Sequence, residues 1–425
     1  MSKRFVSLYY GSIGKARAAG SVLASLGGFY PAGARRREAL GAAVRGQLGD
    51  CAVFALGSAR SALTACLQAA RIGTGDEVLL SSYTCLAVPT AVIAAGATPV
   101  YVDIDPDTLN ADAESVIAAL SPRVRAVVIQ HTLGVVAPIA PIIEAARRRG
   151  IVAIEDCSLA VGSRRGGRLV GTWGDAAIFS MELSKTLSCG WGGVLVVHDS
   201  ALSASMQRVY ADLPEPPFWS AVRDLWQTAI SAWCHCPELF HRVGKYVLFL
   251  GFRVGFFRRS TPAPEFDGRI GPGFLVRLGG PQAALAARQW RDLPAIAAAC
   301  EANGRRLRET LLELGIPTPG VPAAGDTWVA PRVSFLIPDR RDAYAFFFSR
   351  GIDLGEWFDG PLSPVPASPL FNYRVDRYPR AAAVAAEIAN VPCHNRMTAG
   401  DVARTADVLR AYVRERPGVL SRQLH

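Results

Sequence analysis

The chain reads as an α/β protein, with a mostly parallel central sheet covered by helices and a smaller C-terminal α/β domain. Three observations carry that reading. Short apolar runs alternate with helical ones over the first two hundred residues, and strand–helix alternation builds a parallel sheet with helices on both faces. The 425 residues are half hydrophobic, which suits one large domain and one smaller one. Beyond about Gly280 the pattern changes to a long helical stretch followed by shorter strands and helices.

In chain order, the apolar runs at 52–54, 78–80, 99–103, 126–130, 151–155, 176–180 and 194–197 are expected strands, with helices at 62–70, 89–95 and 139–149 between several of them. The run PQAALAARQWRDLPAIAAACEANGRRLRETLLELG follows as one helical stretch. A strand at 332–337 and helices at 341–349 and 399–415 complete the chain. The expected division is an N-terminal segment (1–45), a large domain (46–280) with an aromatic and basic insertion (214–260), and a small domain (281–425). No internal repeat interrupts this order.

Composition narrows the function classes. Nine cysteines, odd in number and scattered, lack the dense spacing of a secreted disulfide scaffold and favour reduced thiols in a cytosol. The start MSKRFVSLYYGSIGKARAAG has no apolar core long enough for a signal peptide, so a cytoplasmic location is expected. Forty-six basic against 36 acidic residues give a net charge of +10. That suits anionic ligands without choosing among nucleotides, nucleic acid and acidic lipid.

The chemistry concentrates around Lys185. It follows the apolar run AAIFS and precedes the glycine cluster CGWGG. A lysine amine forms a Schiff base with an aldehyde cofactor, and pyridoxal phosphate needs in addition a carboxylate that keeps its pyridine nitrogen protonated. Asp156 closes the apolar run IVAIED, which places it at the carboxyl end of a buried parallel strand, where open α/β sheets bind ligands. A lysine after a strand is ordinarily a solvated surface residue. The aspartate and the glycines reverse that reading.

The segments LGSARSAL, GTGDEVLLSSYTC, AAGATPVYVDIDPDTLN, AIEDCSLAVGS, GTWGDAAIFSMELSKTLSCGWGGVLV, GGPQAALAARQ and VPCHNRMTAGDV occur in this order along most of the chain. Together they resemble the DegT/DnrJ/StrS family of pyridoxal-phosphate-dependent sugar aminotransferases, which has the aspartate-aminotransferase type of fold (fold type I). The resemblance implies that Lys185 holds the cofactor and Asp156 faces its pyridine nitrogen. It also implies that Ser180, with the turn Ser58-Ala59-Arg60-Ser61, takes the phosphate. The turn enters a helix, whose free N–H groups and dipole favour an anion; a plain N-cap role for Ser58 is the alternative. The implied donor is glutamate, the implied acceptor a nucleotide-linked keto-sugar, and the implied setting amino-sugar biosynthesis for a polysaccharide, glycolipid or natural product. A homodimer with the cofactor near the interface is the expected assembly.

Three positions depart from the family pattern. Leu159 stands where many members carry Gln or His. Cys85 stands where an aromatic ring usually stacks on the pyridine, which makes it a cofactor neighbour, with Tyr83 about 7 Å further back along an extended segment as an uncertain substitute. Thr186 replaces the Asn that often follows the lysine. These departures point to an unusual substrate or a divergent subgroup.

Other residues carry two readings each. His131 ends a strand and either faces the substrate or is a hydrogen-bonded structural histidine. Arg332 and Arg60 meet a carboxylate or phosphate, or lie on the surface. Trp357 and Phe358 line the substrate entrance or belong to the core. The insertion PEPPFWSAVRDLWQTAISAWCHCPELFHRVGKYVLFLGFRVGFFRRS is too broken by charge to span a bilayer. It forms an interfacial helix on an acidic membrane, or packs against the protein or its dimer mate. The spacing of Cys234, His235, Cys236 and His241 fits no standard zinc site, and no metal is expected. Two functions follow: an aminotransferase, or a cofactor-binding protein of the same fold that acts as scaffold or regulator. Sugar dehydration is disfavoured, since members that dehydrate with this cofactor alone typically carry His at the position of Lys185.

Overall fold

Ten strands precede residue 200: β1 (Ala52–Leu56), β2 (Glu77–Ser81), β3 (Thr84–Cys85), β4 (Thr98–Val102), β5 (Val124–Gln130), β6 (Val152–Asp156), β7 (Arg164–Arg165), β8 (Arg168–Leu169), β9 (Ala176–Ser180) and β10 (Gly193–Val197). The structure, a computed structural model, describes residues 4–9, 13–14, 20, 33–269, 271, 273–365 and 369–417. Part of the expected N-terminal segment therefore lies outside the described residues.

The central sheet has the order β1-β10-β9-β6-β5-β2-β4. β9, β6, β5, β2 and β4 are parallel to one another, while β10 runs antiparallel to both β9 and β1. The exception has a local cause. Parallel strands need a long crossover, usually a helix; the connection from β9 to β10 holds no helix and returns beside the strand it left. That connection carries Lys185.

Both faces of the sheet are covered. Ala126 and Val128 of β5 pack with Leu63, Cys66 and Val92 from the helices Ala59–Ala69 and Ala87–Ala94. Val127 and Ile129 point the other way, into a core with Val44, Ile142 and Trp290 from the helices Gly33–Leu48, Ile139–Arg148 and Gly280–Arg291. Strands apolar on both faces are what a doubly covered parallel sheet demands. All seven expected strands of this sheet form, with ends shifted by at most two residues.

The long stretch after Gly280 differs from the single helix expected. It forms two helices, Gly280–Arg291 and Leu293–Glu313, because Pro294 lacks an N–H and is tolerated only in a first helical turn. Beyond it, β11 (Arg332–Leu336) pairs antiparallel with β13 (Ile388–Pro392), a strand the sequence pattern did not reveal. The short β12 (Leu362–Ser363) pairs with β3. The helix Ala399–Glu415 begins with a capping box in which Thr398 and Asp401 satisfy each other's backbone N–H. The insertion folds into helices Phe218–Cys234 and Lys245–Arg253, joined by a π-turn at Phe240–Gly244.

Glu155 is a buried hub one residue before Asp156. Its carboxylate accepts backbone N–H bonds from Gly171 (2.7 Å), Trp173 (2.6 Å) and Gly174 (2.9 Å) and lies 3.1 Å from His131 Nε2. The Ala137 N–H donates to His131 Nδ1 at 3.1 Å. His131 is thus structural and does not reach the substrate region, correcting the site role entertained for it. Cys157 lies within metal-ligating reach of this pair, but the histidine and carboxylate atoms are already engaged. The residues around Cys234 show a similar commitment: His235 Nδ1 bonds to the Ser231 carbonyl at 2.9 Å, and Cys236 Sγ to Glu238 at 2.6 Å.

Burial alone would raise the Glu155 pKa; His131 and the N–H groups of Gly174 and Gly171 outweigh it and hold the carboxyl below its ordinary 4.5. A depressed folded-state pKa contributes stability above the unfolded value, and that contribution is lost as pH falls through the folded one. Glu155→Gln should cost on the order of 3 kcal/mol near neutral pH. It should also flatten the acid limb of the stability curve below about pH 4.5, as measured by denaturant unfolding.

Candidate active site

Register alone brings the carboxyl ends together. Gln130 pairs with Asp156, Asp156 with Ile178, Ser180 with Gly193, and Gly193 with Leu56, two residues before Ser58. One edge of the sheet therefore presents, in a row, Gln130, Asp156, Ser180, Gly193 and the Ser58 turn. Gly193 is required by close approach, because a Cβ there would collide with the backbone of Ser58 and Ala59.

Ser58, Ala59, Arg60, Cys85, Asp156, Ser180 and Lys185 all line one pocket at this edge. Ser58 caps the helix Ala59–Ala69, with its Oγ accepting the Ser61 N–H at 3.0 Å, and it lines the pocket as well. The N-cap reading of that residue holds. Arg60 is not a free surface cation: it is partly buried, pairs with Glu265 and donates to the Ser260 carbonyl at 3.0 Å. Asp156 is buried, and its Oδ1 accepts the Ser158 N–H at 2.9 Å.

Lys185 reaches the pocket from the β9–β10 loop, where its N–H bonds to the Glu182 carbonyl at 3.1 Å. Burial lowers its pKa; Cys85, Glu182 and Asp156 oppose that shift, and Arg332 adds to it. A lowered pKa supplies neutral amine, the form that attacks carbonyls and accepts protons. Its Nζ lies 4.6 Å from the centre of the Trp357 ring, and the guanidinium of Arg332 lies 3.7 Å from the same ring. Arg332 is buried, with one long bond (3.4 Å) to the Ser184 carbonyl; its Nε has no partner among the described residues.

Tyr83 is a correction. Its ring is buried and does not line the pocket, so it is no substitute for the missing stacking aromatic. Its hydroxyl instead donates to the Phe358 carbonyl at 3.1 Å and accepts the Phe358 N–H at 2.9 Å. The rings that do line the pocket are Phe358 itself and Trp191. Leu159 also lines the wall, as an apolar surface where a polar side chain was missing from the pattern.

Several lining residues went unrecognised in the sequence. Gln130 accepts from Thr84 Oγ1 at 2.6 Å and donates to the Tyr83 carbonyl at 2.9 Å, which fixes the segment carrying Cys85. It ends a parallel strand as Asp156 does, and the same strand-end argument finds it. Arg258 and Ser260, at the end of the insertion, also line the pocket, together with Glu182 and Trp191. No local signal marks them, because the return of a 47-residue insertion is a tertiary event.

The donor set fits pyridoxal phosphate. It comprises a helix N-terminus with a side-chain-free approach at Gly193, two serine hydroxyls, a buried carboxylate and an amine of lowered pKa. Tyr83→Phe should strand the buried Phe358 N–H, costing about 1–3 kcal/mol in thermal or denaturant unfolding. A cost near zero would show that the hydroxyl does not hold Phe358.

Known proteins resemble the chain in sequence and in fold. Residues 21–222 match the DegT/DnrJ/EryC1/StrS aminotransferase family. A stretch of 155 residues, 36% of each chain, is 41% identical to L-glutamine:2-deoxy-scyllo-inosose aminotransferase of Streptomyces kanamyceticus. Another of 154 residues is 40% identical to GDP-perosamine synthase of Caulobacter vibrioides, over 36% of this chain and 42% of that one. The chain thus spans less than half the length of these relatives. The crystal structure of the aminotransferase TlmJ from Streptoalloteichus hindustanus superposes over 98% of this chain and 99% of its own, with a TM-score of 0.71 and 25% identity. The chain therefore has the fold of pyridoxal-phosphate-dependent aminotransferases, and its residues 21–222 resemble the DegT/DnrJ/EryC1/StrS aminotransferase family.

Proposed function

We propose that the chain is an aminotransferase that moves an amino group from glutamate or glutamine to the ketone of a sugar or cyclic polyol. The observation that carries this reading is the convergence of Lys185 and Asp156 in one pocket with Ser58, Ser180 and the N-terminus of the helix Ala59–Ala69. The compounds in the relatives' names, an inosose in one and a GDP-linked sugar in the other, support a polyhydroxylated acceptor. Nucleotide-linked keto-sugars remain the acceptor class first to be tried.

Bound pyridoxal phosphate would supply an aldehyde that takes amines and a protonated ring that withdraws electrons. The residues divide the remaining work. Ser58, Ser180 and the free N–H groups behind Ser58 would hold the phosphate, with Arg60 close by but already neutralised by Glu265. Asp156 would keep the proton on the ring nitrogen. Lys185 Nζ, deprotonated at a lower pH than an ordinary lysine because it is buried, would carry a proton between the α-carbon of the donor and the aldehyde carbon of the cofactor. Arg332, buried beside Trp357 with an unpartnered Nε, would bind the carboxylate of the donor. Trp357 would act as the spacer that orients both side chains.

The test is kinetic. Purified protein loaded with pyridoxal phosphate should change its visible absorbance on mixing with glutamate or glutamine, and should then aminate members of a panel of nucleotide keto-sugars and keto-inositols. Lys185→Ala should abolish turnover while keeping cofactor bound through its phosphate. Asp156→Ala should lower kcat by on the order of a hundredfold or more. Arg332→Ala should raise the donor KM far more than it changes cofactor affinity. Wild-type turnover by Lys185→Ala would end the proposal; bound cofactor with no response to any donor would favour the scaffold or regulator reading.

A homodimer belongs to the same proposal. Sedimentation at micromolar concentration should give twice the mass of the chain. A monomer with full cofactor content would contradict it.

A further inference from the structure

The insertion does two things that a packed loop would not. First, it exposes aromatic stripes. Trp219, Trp226 and Trp233 are spaced seven residues apart on the helix Phe218–Cys234, hence on one side of it, and are 77%, 40% and 47% exposed. On the helix Lys245–Arg253, Tyr246, Phe249 and Leu250 are likewise exposed. Exposed apolar surface on this scale marks an interaction face.

Second, the insertion roofs a cavity of about 480 Å³ lined on one side by Leu248, Phe249 and Phe252 and on another by Arg258 and Arg259. Glu182, Trp191, Arg258 and Ser260 line both this cavity and the pocket of Lys185. The two spaces are adjoining. The combination of an apolar wall, the exposed Arg259 beside an Arg258 that also pairs with Asp224, and a boundary shared with the pocket of the amine suits a molecule with a hydrocarbon end, a phosphate and a sugar.

Charge decides what covers the outer face. From Phe240 to Ser260 there is no acidic residue, and Arg242, Arg253 and Arg259 are exposed. A second copy packed across a twofold axis would set this face against itself and bring like charges together. An anionic bilayer surface takes the aromatic rings at headgroup depth and the basic residues at the phosphates. A nucleotide would account for the cavity but not for the outward-facing rings. No helix among the described residues is long and apolar enough to cross a membrane, which leaves the helices to lie in the interface.

We infer that the helices Phe218–Cys234 and Lys245–Arg253 seat the chain on an anionic membrane, and that the cavity beneath them binds the phosphate and adjoining hydrocarbon of a lipid-borne acceptor. The acceptor half rests on the aminotransferase reading; the membrane half does not.

The test uses the full chain loaded with pyridoxal phosphate. It should sediment with phosphatidylcholine vesicles holding about 30% phosphatidylglycerol, weakly with phosphatidylcholine alone, and less as salt rises. Trp226→Ser/Tyr246→Ser/Leu250→Ser should weaken vesicle binding about tenfold or more, since three apolar side chains leave the interface. The same variant should bind farnesyl phosphate as the parent does. Phe252→Ser/Arg259→Glu should lose farnesyl phosphate, followed by equilibrium dialysis against uridine diphosphate as competitor. No binding to anionic vesicles at low salt overturns the membrane half. So does a triple variant that keeps vesicle binding and turns a dimer into a monomer, which would make the face a contact between copies. Retention of uridine diphosphate without farnesyl phosphate overturns the acceptor half in favour of a nucleotide. Failure of the parent chain to take up pyridoxal phosphate would strike the aminotransferase reading and leave the vesicle result standing.

Discussion

The site depends on how the central sheet ends. Parallel pairing of β5, β6 and β9 carries Gln130, Asp156 and Ser180 to one edge, and the helix-free return of the chain into antiparallel β10 sets Gly193 beside Ser180 and the Ser58 turn. The β9–β10 loop is then held at the same edge, and the only amine it carries is Lys185. An acid, an amine and a helix N-terminus are thereby brought together by backbone pairing before any side chain contributes. Shifting one strand by a residue would turn Asp156 to the other face, where Glu155 now stands.

The two adjacent carboxylates show how that edge is kept in place. Glu155 points into the core and is saturated by three backbone N–H groups and His131, so it fixes the turn that starts β9. Asp156 points into the pocket with a single backbone bond to Oδ1. The saturated carboxylate serves structure; the other retains acceptor capacity for a ligand. The same contrast separates the arginines. Arg60 is committed to Glu265, whereas the guanidinium of Arg332 lies against Trp357 near the lysine with only a long bond to the Ser184 carbonyl among the described residues.

Much of this was legible in the sequence because it is local. The strands of the sheet are contiguous apolar runs, and Lys185, Asp156, Ser180 and Ser58 each sit at the end of such a run or the start of a helix. What escaped notice depends on chain segments far apart in sequence. Phe358 takes the wall position that Tyr83 was a candidate for, because Tyr83 spends its hydroxyl on the Phe358 backbone 275 residues away. β13 became visible only through its pairing with β11. His131 looked like a site residue because it ends a strand, but the ring turned inward to Glu155. Arg258 reaches the pocket at the end of an insertion whose path no short pattern encodes.

The claim on which the rest stands is that Lys185, and no other amine, holds the cofactor opposite Asp156. Reducing the pyridoxal-phosphate-loaded protein with borohydride and mapping the peptides by mass spectrometry tests it directly. The account predicts a single cofactor adduct, on the peptide containing Lys185, that vanishes in Lys185→Ala. An adduct on another lysine, or an undiminished one in that variant, would contradict it.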